Sequence, residues 1–114
     1  MSAIIVHGGC GRSKDDGEAR QAGLQAAADA GWAALASGKS ALDAAEVAVI
    51  ALEDDPQFNA GTGAVLNFDG EVETDASVMT SEGGEGAIAA VRGVKNPVRL
   101  ARAVLERTDH VLLV

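Results

Sequence analysis

"FNAGTGAVLNFDGEVETDASVM", residues 58–79, contains the change of period that decides the fold class. Its second half alternates: Val72, Thr74, Ala76 and Val78 fall on one side, Glu73, Asp75, Ser77 and Met79 on the other. That is a half-buried strand with charge on its outer face or in a site. Ahead of it, Asp69-Gly70 supplies the positive φ angles of a two-residue turn, so residues 64–68 and 71–79 read as a β-hairpin. Further back, "EDDPQFNAGTGA" (53–64) has three acids, a proline and two glycines, which forbid regular structure and demand a loop held in a defined shape.

On the N-terminal side, Ser40 with Asp43 three residues on is a capping-box pattern. It opens a helix with Leu42, Ala45, Val49 and Leu52 in one stripe, ending near Glu53. Gly38 ends an earlier helix, from Glu18 to about Ser37, in which Ala19, Ala22, Ala26, Ala30 and Ala33 make a small-residue face. Residues 3–7 read as a short buried strand that stops at Gly8-Gly9 and gives way to a polar loop over 10–17. On the C-terminal side, a turn at 81–84 precedes a buried strand, "GAIAAV" (86–91). Asn96-Pro97 starts a helix to about Arg107, and 110–114 begins a further apolar strand whose layer is unfinished, so the polypeptide is expected to continue. The order points to one α+β domain over 1–114, with helices covering a largely antiparallel sheet.

The chain's 114 residues are 47% apolar but only 3% aromatic, so small aliphatic side chains must build the core. A net charge of -8 repels phosphate backbones and anionic lipid, which argues against nucleic acid and membrane as partners. The single cysteine excludes an internal disulfide, and no apolar run approaches the ~18 residues of a membrane span. These features predict a soluble, cytoplasmic protein.

Among chemical candidates, "HGGCGR" (7–12) has neither the G-x-G-x-x-G order nor the G-K-[ST] of a phosphate loop, and Lys14 lies too far along. Cys10 with His7 invites a nucleophile and base, but a small buried cysteine at a strand end is the more frequent arrangement. His7, Cys10 and His110 lack zinc-ligand spacing. The acids Glu53, Asp54 and Asp55 lack EF-hand spacing, and such a run is more often a solvated helix end than a cation site. Asn59 stands apart: flanked by Phe58 and Ala60 and followed by Gly61 and Gly63, its amide is suited to rigid N–H donation to an anion. An ordinary tight-turn asparagine is the alternative.

Together, "IIVHGGCG" (4–11), "SALDAAEVAVIALEDDPQFNAGTGAVLNFDGEVETDASVM" (40–79) and "GAIAAVRGVKNPVRLARAVLERTDHVLLV" (86–114) resemble, in order and spacing, the N-terminal half of plant-type asparaginases, or isoaspartyl peptidases. These are N-terminal-nucleophile hydrolases. The resemblance covers nearly the whole chain, and "FNAGTGA" followed by "ETDASVM" is its most specific part.

The resemblance implies an αββα four-layer sandwich, made as a precursor that cleaves itself before a threonine whose new α-amine is the base for its own hydroxyl. It implies hydrolysis of L-asparagine or β-aspartyl peptides, a β subunit from the same precursor, and an (αβ)2 assembly. The nucleophile is expected downstream of the "HVLLV" segment, since Thr62, Thr74, Thr80 and Thr108 stand in other contexts. Carried over by position, Asn59 matches an asparagine near the nucleophile, and His7-Gly8-Gly9 matches the glycine loop lining the cleavage site, with Gly9 in support. Residues 52–62 match a structural sodium loop, with backbone carbonyls of Leu52, Glu53, Asp55, Phe58, Ala60 and Thr62 around the ion. No organic cofactor is implied. Cys10, Asp55 and Thr80 depart from the usual residues at their positions. The alternative is a non-catalytic truncated paralogue or an assembly module with the same layers.

Overall fold

The computed structural model describes residues 1–11 and 17–114; most of the polar 10–17 loop, Lys14 included, lies outside them. Three helices and a three-stranded sheet follow one another as α1 (Glu18–Ala36), α2 (Ala41–Asp54), a 3₁₀ turn (Gly61–Gly63), β1 (Thr74–Met79), β2 (Glu85–Val91), α3 (Pro97–Arg107) and β3 (Leu112–Leu113). Among the described residues no helix is long and apolar enough to cross a membrane.

The helix end at Gly38 and the helix start at Ser40, as read from the sequence, are both present. Gly38, at φ 82°, follows the end of α1, and the capping box opens α2: the Asp43 N–H donates to Ser40 Oγ at 3.0 Å, and the Ser40 N–H to Asp43 Oδ2 at 3.1 Å. The packing faces differ from the expected ones. α1 buries Ala27 and Gly31, whereas Ala19, Ala22, Ala26 and Ala33 are exposed and Ala30 is only half-buried. Glycine explains the choice. A Cβ at Gly31 would collide with Ile4 and lie 3.0 Å from the Ala44 carbonyl oxygen, so the helices approach most closely through the row without side chains. On α2 the buried residues are Ala44, Ala48 and Glu53; Ala45 and Val49, from the expected stripe, are exposed along an apolar groove beside residues 3–7.

Residues 3–7 are not a buried strand. Ile4 and Val6 are half-buried toward the helices, but Ile5 is 93% exposed and no strand among the described residues pairs with this segment. One face is covered by α1 and α2, and nothing among the described residues supplies a ladder.

The sheet runs β1-β2-β3, with β1 and β2 antiparallel and β2 and β3 parallel. It is therefore mixed rather than largely antiparallel, because α3 carries the chain back to β3. The expected alternation holds from Thr74 onward: Thr74 is buried, Ala76 and Val78 half-buried, and Asp75, Ser77 and Met79 exposed; Val72 falls outside it. β2 buries only Gly86 and Ile88, so it too is half-buried. α3 seals one face with Ala101 and Val104 against Ile88. At Gly86 a Cβ would stand 2.6 Å from the Leu105 nitrogen, so helix and strand meet backbone to backbone.

The hairpin is shorter than its sequence signal. Leu66 and Val72 form an isolated bridge, and no strand forms over 64–68. The turn is not the two-residue type, since Gly70 has φ 80° and Asp69 is not in the positive-φ region. Asn67 organises a three-residue loop instead: its Oδ1 accepts the N–H groups of Asp69 (3.0 Å) and Glu71 (2.9 Å), and its carbonyl accepts that of Gly70 (3.1 Å).

Register is also interrupted between β1 and β2. Thr74 pairs with Val91 but Ala76 with Ile88, so β2 carries an extra residue opposite Asp75. Ala90 there has φ 53°, and its N–H, lost to the ladder, donates to Asp75 Oδ1 at 2.8 Å.

Candidate functional site

The two glycine-bearing motifs, distant in sequence, meet at Phe58. Its ring is 4% exposed and lies between Gly8 and Gly23: a Cβ on either would sit 2.6 Å from a ring carbon. The loop after residues 3–7 is thus laid directly against the loop after α2, where only hydrogen atoms leave room for the ring. Gly9 turns the chain away at φ 104°, its N–H donating to His7 Nδ1 at 3.2 Å.

The 55–63 loop is closed by its own backbone. The Phe58 N–H donates to the Asp55 carbonyl (3.2 Å), Ala60 to Phe58 (2.8 Å) and Gly63 to Ala60 (3.0 Å), while Gln57 N–H caps Asp55 Oδ1 (2.9 Å). Asn59 is exposed, and its Oδ1 accepts the Val65 N–H at 2.9 Å. Since a carboxamide is planar, fixing the oxygen also fixes the direction of Nδ2 and its two donors.

The carbonyls expected around a cation occupy a compact stretch. Those of Leu52 and Glu53 belong to the last turn of α2, where helix carbonyls lack intrahelical partners and the dipole favours positive charge. Gly61, at φ 46°, brings its Cα against the Glu53 carbonyl, 2.5 Å from a would-be Cβ; Gly63 lies against those of Phe58 and Pro56. Asp55, Phe58 and Ala60 each use one lone pair on a loop N–H, and Thr62 sits exposed in the 3₁₀ turn. These are hard, neutral oxygens, the donor type that an alkali cation takes, and Gly61 and Gly63 let the turn close against the Glu53, Phe58 and Pro56 carbonyls.

The acid run does not behave as one solvated helix end. Asp54 does: it is exposed, 3.4 Å from Lys95 Nζ, and accepts from Asn96 Nδ2 at 3.1 Å, a bond that lowers its pKa. Glu53 is instead 2% exposed; Oε1 accepts the Val98 N–H at 2.9 Å, and Oε2 is buried without a hydrogen-bond partner. Desolvation pushes its carboxyl above the ordinary range, with the Val98 N–H acting the other way. Glu53 and Asn59 line, with Thr74, Asp75 and Ser77, one cavity of about 340 Å³ between the loop, β1 and the start of α3. Sequence reasoning missed what the side chains of Glu53 and the bulge partner Asp75 do, because both act on backbone N–H groups far along the chain.

The remaining candidates are dispersed. Cys10 is exposed rather than buried, and His7 Nδ1 is taken by the Gly9 N–H. His110 is exposed near β3, and among the described residues no three His, Cys, Asp or Glu converge as metal ligands. Three threonine hydroxyls hold local structure: Thr74 donates to Val91, Thr80 accepts from the Gly84 N–H, and Thr108 donates to Val104. The last-but-one contact shows how a threonine at 80 suits the turn.

The sequence model of the family described as Asparaginase matches residues 1–114. The chain is 53% identical over 117 residues to the plant-type L-asparaginase of Thermococcus kodakarensis, covering all of this chain and 38% of that protein. It is 52% identical to the isoaspartyl peptidase/L-asparaginase of Macaca fascicularis and 50% to that of Homo sapiens, each over 113 residues, 96% of this chain and 37% of the relative. The chain therefore spans less than two fifths of the length of these relatives, with the two glycine loops and the Asn59 turn inside the matched part. Matched along its whole length and sharing about half its residues with these proteins, the chain belongs to the family of plant-type asparaginases and isoaspartyl peptidases.

Proposed function

We propose that this chain is the N-terminal part of the α subunit of an amidohydrolase that cleaves L-asparagine, β-aspartyl peptides or both. The nucleophile is the threonine exposed when the precursor cleaves itself, and it belongs to the β subunit in an αββα sandwich assembled as (αβ)2. The observation that supports this most directly is the seating of Phe58 between Gly8 and Gly23, which lays the glycine turn against the residue that precedes Asn59.

In the reaction, the threonine hydroxyl adds to the side-chain carbonyl of the substrate, passing its proton to the threonine's own α-amine. Collapse of the tetrahedral species expels ammonia or the peptide amine, and water then releases aspartate from the acyl-enzyme. Negative charge develops on the carbonyl oxygen in both halves. Asn59, its Oδ1 tied to Val65, directs Nδ2–H donors whose orientation is set before substrate arrives. Gly8 and Gly9 leave the backbone bare where the scissile segment approaches. The backbone carbonyls of Leu52, Glu53, Asp55, Phe58, Ala60 and Thr62 would hold Na+, whose part would be structural, stiffening the loop.

Expression of the complete coding sequence tests this reading. The expected result is one polypeptide that splits in two at a Gly-Thr bond and then releases ammonia from L-asparagine or amine from β-aspartyl dipeptides. A protein that neither splits nor turns over either substrate is a non-catalytic paralogue, and the proposal fails.

A further inference from the structure

Glu53 is the most deeply buried charged side chain among the described residues, and three parts of the fold converge on it. Its backbone belongs to the last turn of α2. Its Oε1 accepts the N–H of Val98, the first donor that α3 must place, since Pro97 has none and Asn96 makes no side-chain cap. Its backbone also floors the Asn59 loop: a Cβ at Gly61 would lie 2.5 Å from the Glu53 carbonyl oxygen and 2.9 Å from its Cβ. Gly61 follows Asn59 by two residues and opens the turn leading to Val65, whose N–H holds the Asn59 amide.

Capping alone does not account for this residue. A serine or aspartate at position 96 would satisfy the helix N-terminus at the surface, without burying a carboxyl whose Oε2 has no hydrogen-bond partner. A group buried at that cost fixes a geometry that a free helix end would leave loose. Asn59, across the shared cavity, is what that geometry orients.

We propose that Glu53 is a positioning residue for Asn59: by joining the start of α3 to the end of α2, it sets where the Gly61–Gly63 turn rests and so the direction of the Asn59 amide donors. The proposal rests on the role given to Asn59 above.

The test uses the complete protein, with Glu53→Gln, which keeps an acceptor for Val98, and Glu53→Met, which keeps the volume without one. Glu53→Met should lower kcat about tenfold or more and leave KM within about twofold, as expected of a misplaced catalytic donor. Glu53→Gln should restore kcat to within about threefold of wild type. In an Asn59→Ala background, Glu53→Met should change kcat little further, because the residue it acts through is gone. The Val65 amide should exchange faster with solvent in Glu53→Met than in Glu53→Gln.

Unchanged Val65 exchange, or a loss of kcat repeated in full on top of Asn59→Ala, overturns the proposal. A complete protein in which Asn59→Ala is itself harmless defeats the catalytic reading of Asn59 instead, while Val65 exchange still decides whether Glu53 positions the loop. Should Glu53→Met fail to fold, Glu53→Asp, which withdraws the carboxylate by one methylene, gives the same two readouts.

Discussion

Asn59 has two separable ends. Its Oδ1 accepts from the Val65 N–H and serves the loop, whereas Nδ2 is the end to which the proposed function gives the donor role. Asn59→Asp keeps an oxygen for Val65 and removes the donor; Asn59→Ala removes both. In the complete enzyme each variant should lose roughly 10² to 10³ in kcat, the usual loss for one oxyanion-type donor, with only Asn59→Ala also lowering the melting temperature. Steady-state kinetics beside a thermal melt check this, and near wild-type turnover in Asn59→Asp would reject the donor role. The site is legible in sequence to this depth because "FNAGTG" joins a polar amide to backbone freedom in one local stretch. Glu53 was not, since its partner Val98 is brought to it only by packing of α3 on the end of α2, and a local reading leaves it in solvent. Cys10 erred the other way: its position after a strand-like run suggests burial, but that run has no ladder, and the thiol is exposed.

Elements show the same division between local chemistry and packing. The capping box at Ser40 is written within four residues and is present as read, whereas the packing row of α1 is not. With alanine on every side, the choice of Ala27 and Gly31 is made by α2 and Ile4. The capping box also makes the start of α2 sensitive to acid. Hydrogen bonds from Ser40, then the Arg102 guanidinium at 2.7 Å, lower the Asp43 pKa from 3.8 to about 2. A carboxyl held lower in the folded than the unfolded state contributes stability that is complete above pH 3.8 and lost as pH falls through about 2. The melting temperature of the complete protein should therefore fall more steeply between those values than that of Asp43→Asn; parallel curves would deny the coupling. The 52–62 loop yields a second test. If neutral carbonyls hold Na+, the melting temperature should rise with NaCl but not with choline chloride at equal ionic strength, and EDTA should have no effect. Asp55→Asn should keep this response, because Asp55 is assigned a carbonyl contact. A melting temperature indifferent to Na+, or a response abolished by Asp54→Asn or Asp55→Asn, would overturn the site.

At the scale of the molecule, the described residues form a slab of 39 × 34 × 19 Å with a radius of gyration of 14.5 Å, where roughly 13 Å suits a compact chain of this length. α1 and α2 pack on each other, and α3 covers one face of the sheet; the two halves touch where α2 meets α3, around Glu53 and the ion pairs of Arg102 with Asp43 and Glu46. Much apolar surface stays outside both units: Ile5 is 93% exposed, Phe68 104%, Met79 70% and Val114 89%. Residues 3–7 have no partner strand among the described residues, and the short β3 is exposed throughout. Patches and open edges of this kind lead to association with a complementary surface or to aggregation. Among the described residues no hydroxyl or thiol of the site is hydrogen-bonded to a base: the Thr74 hydroxyl donates to the Val91 carbonyl, Asp75 accepts the Ala90 N–H, and the His7 Nδ1 is occupied by the Gly9 N–H. Residues 1–114 purified alone should therefore release no ammonia from L-asparagine and no amine from β-aspartyl dipeptides, and should melt without a sharp cooperative transition. Supplied in trans with the remainder of the precursor, the same polypeptide should become protease-resistant as its apolar edges are covered. Sustained turnover by a cooperatively folding monomer of these residues would mean that the nucleophile lies among them, and that the assignment of catalysis to a second polypeptide is wrong.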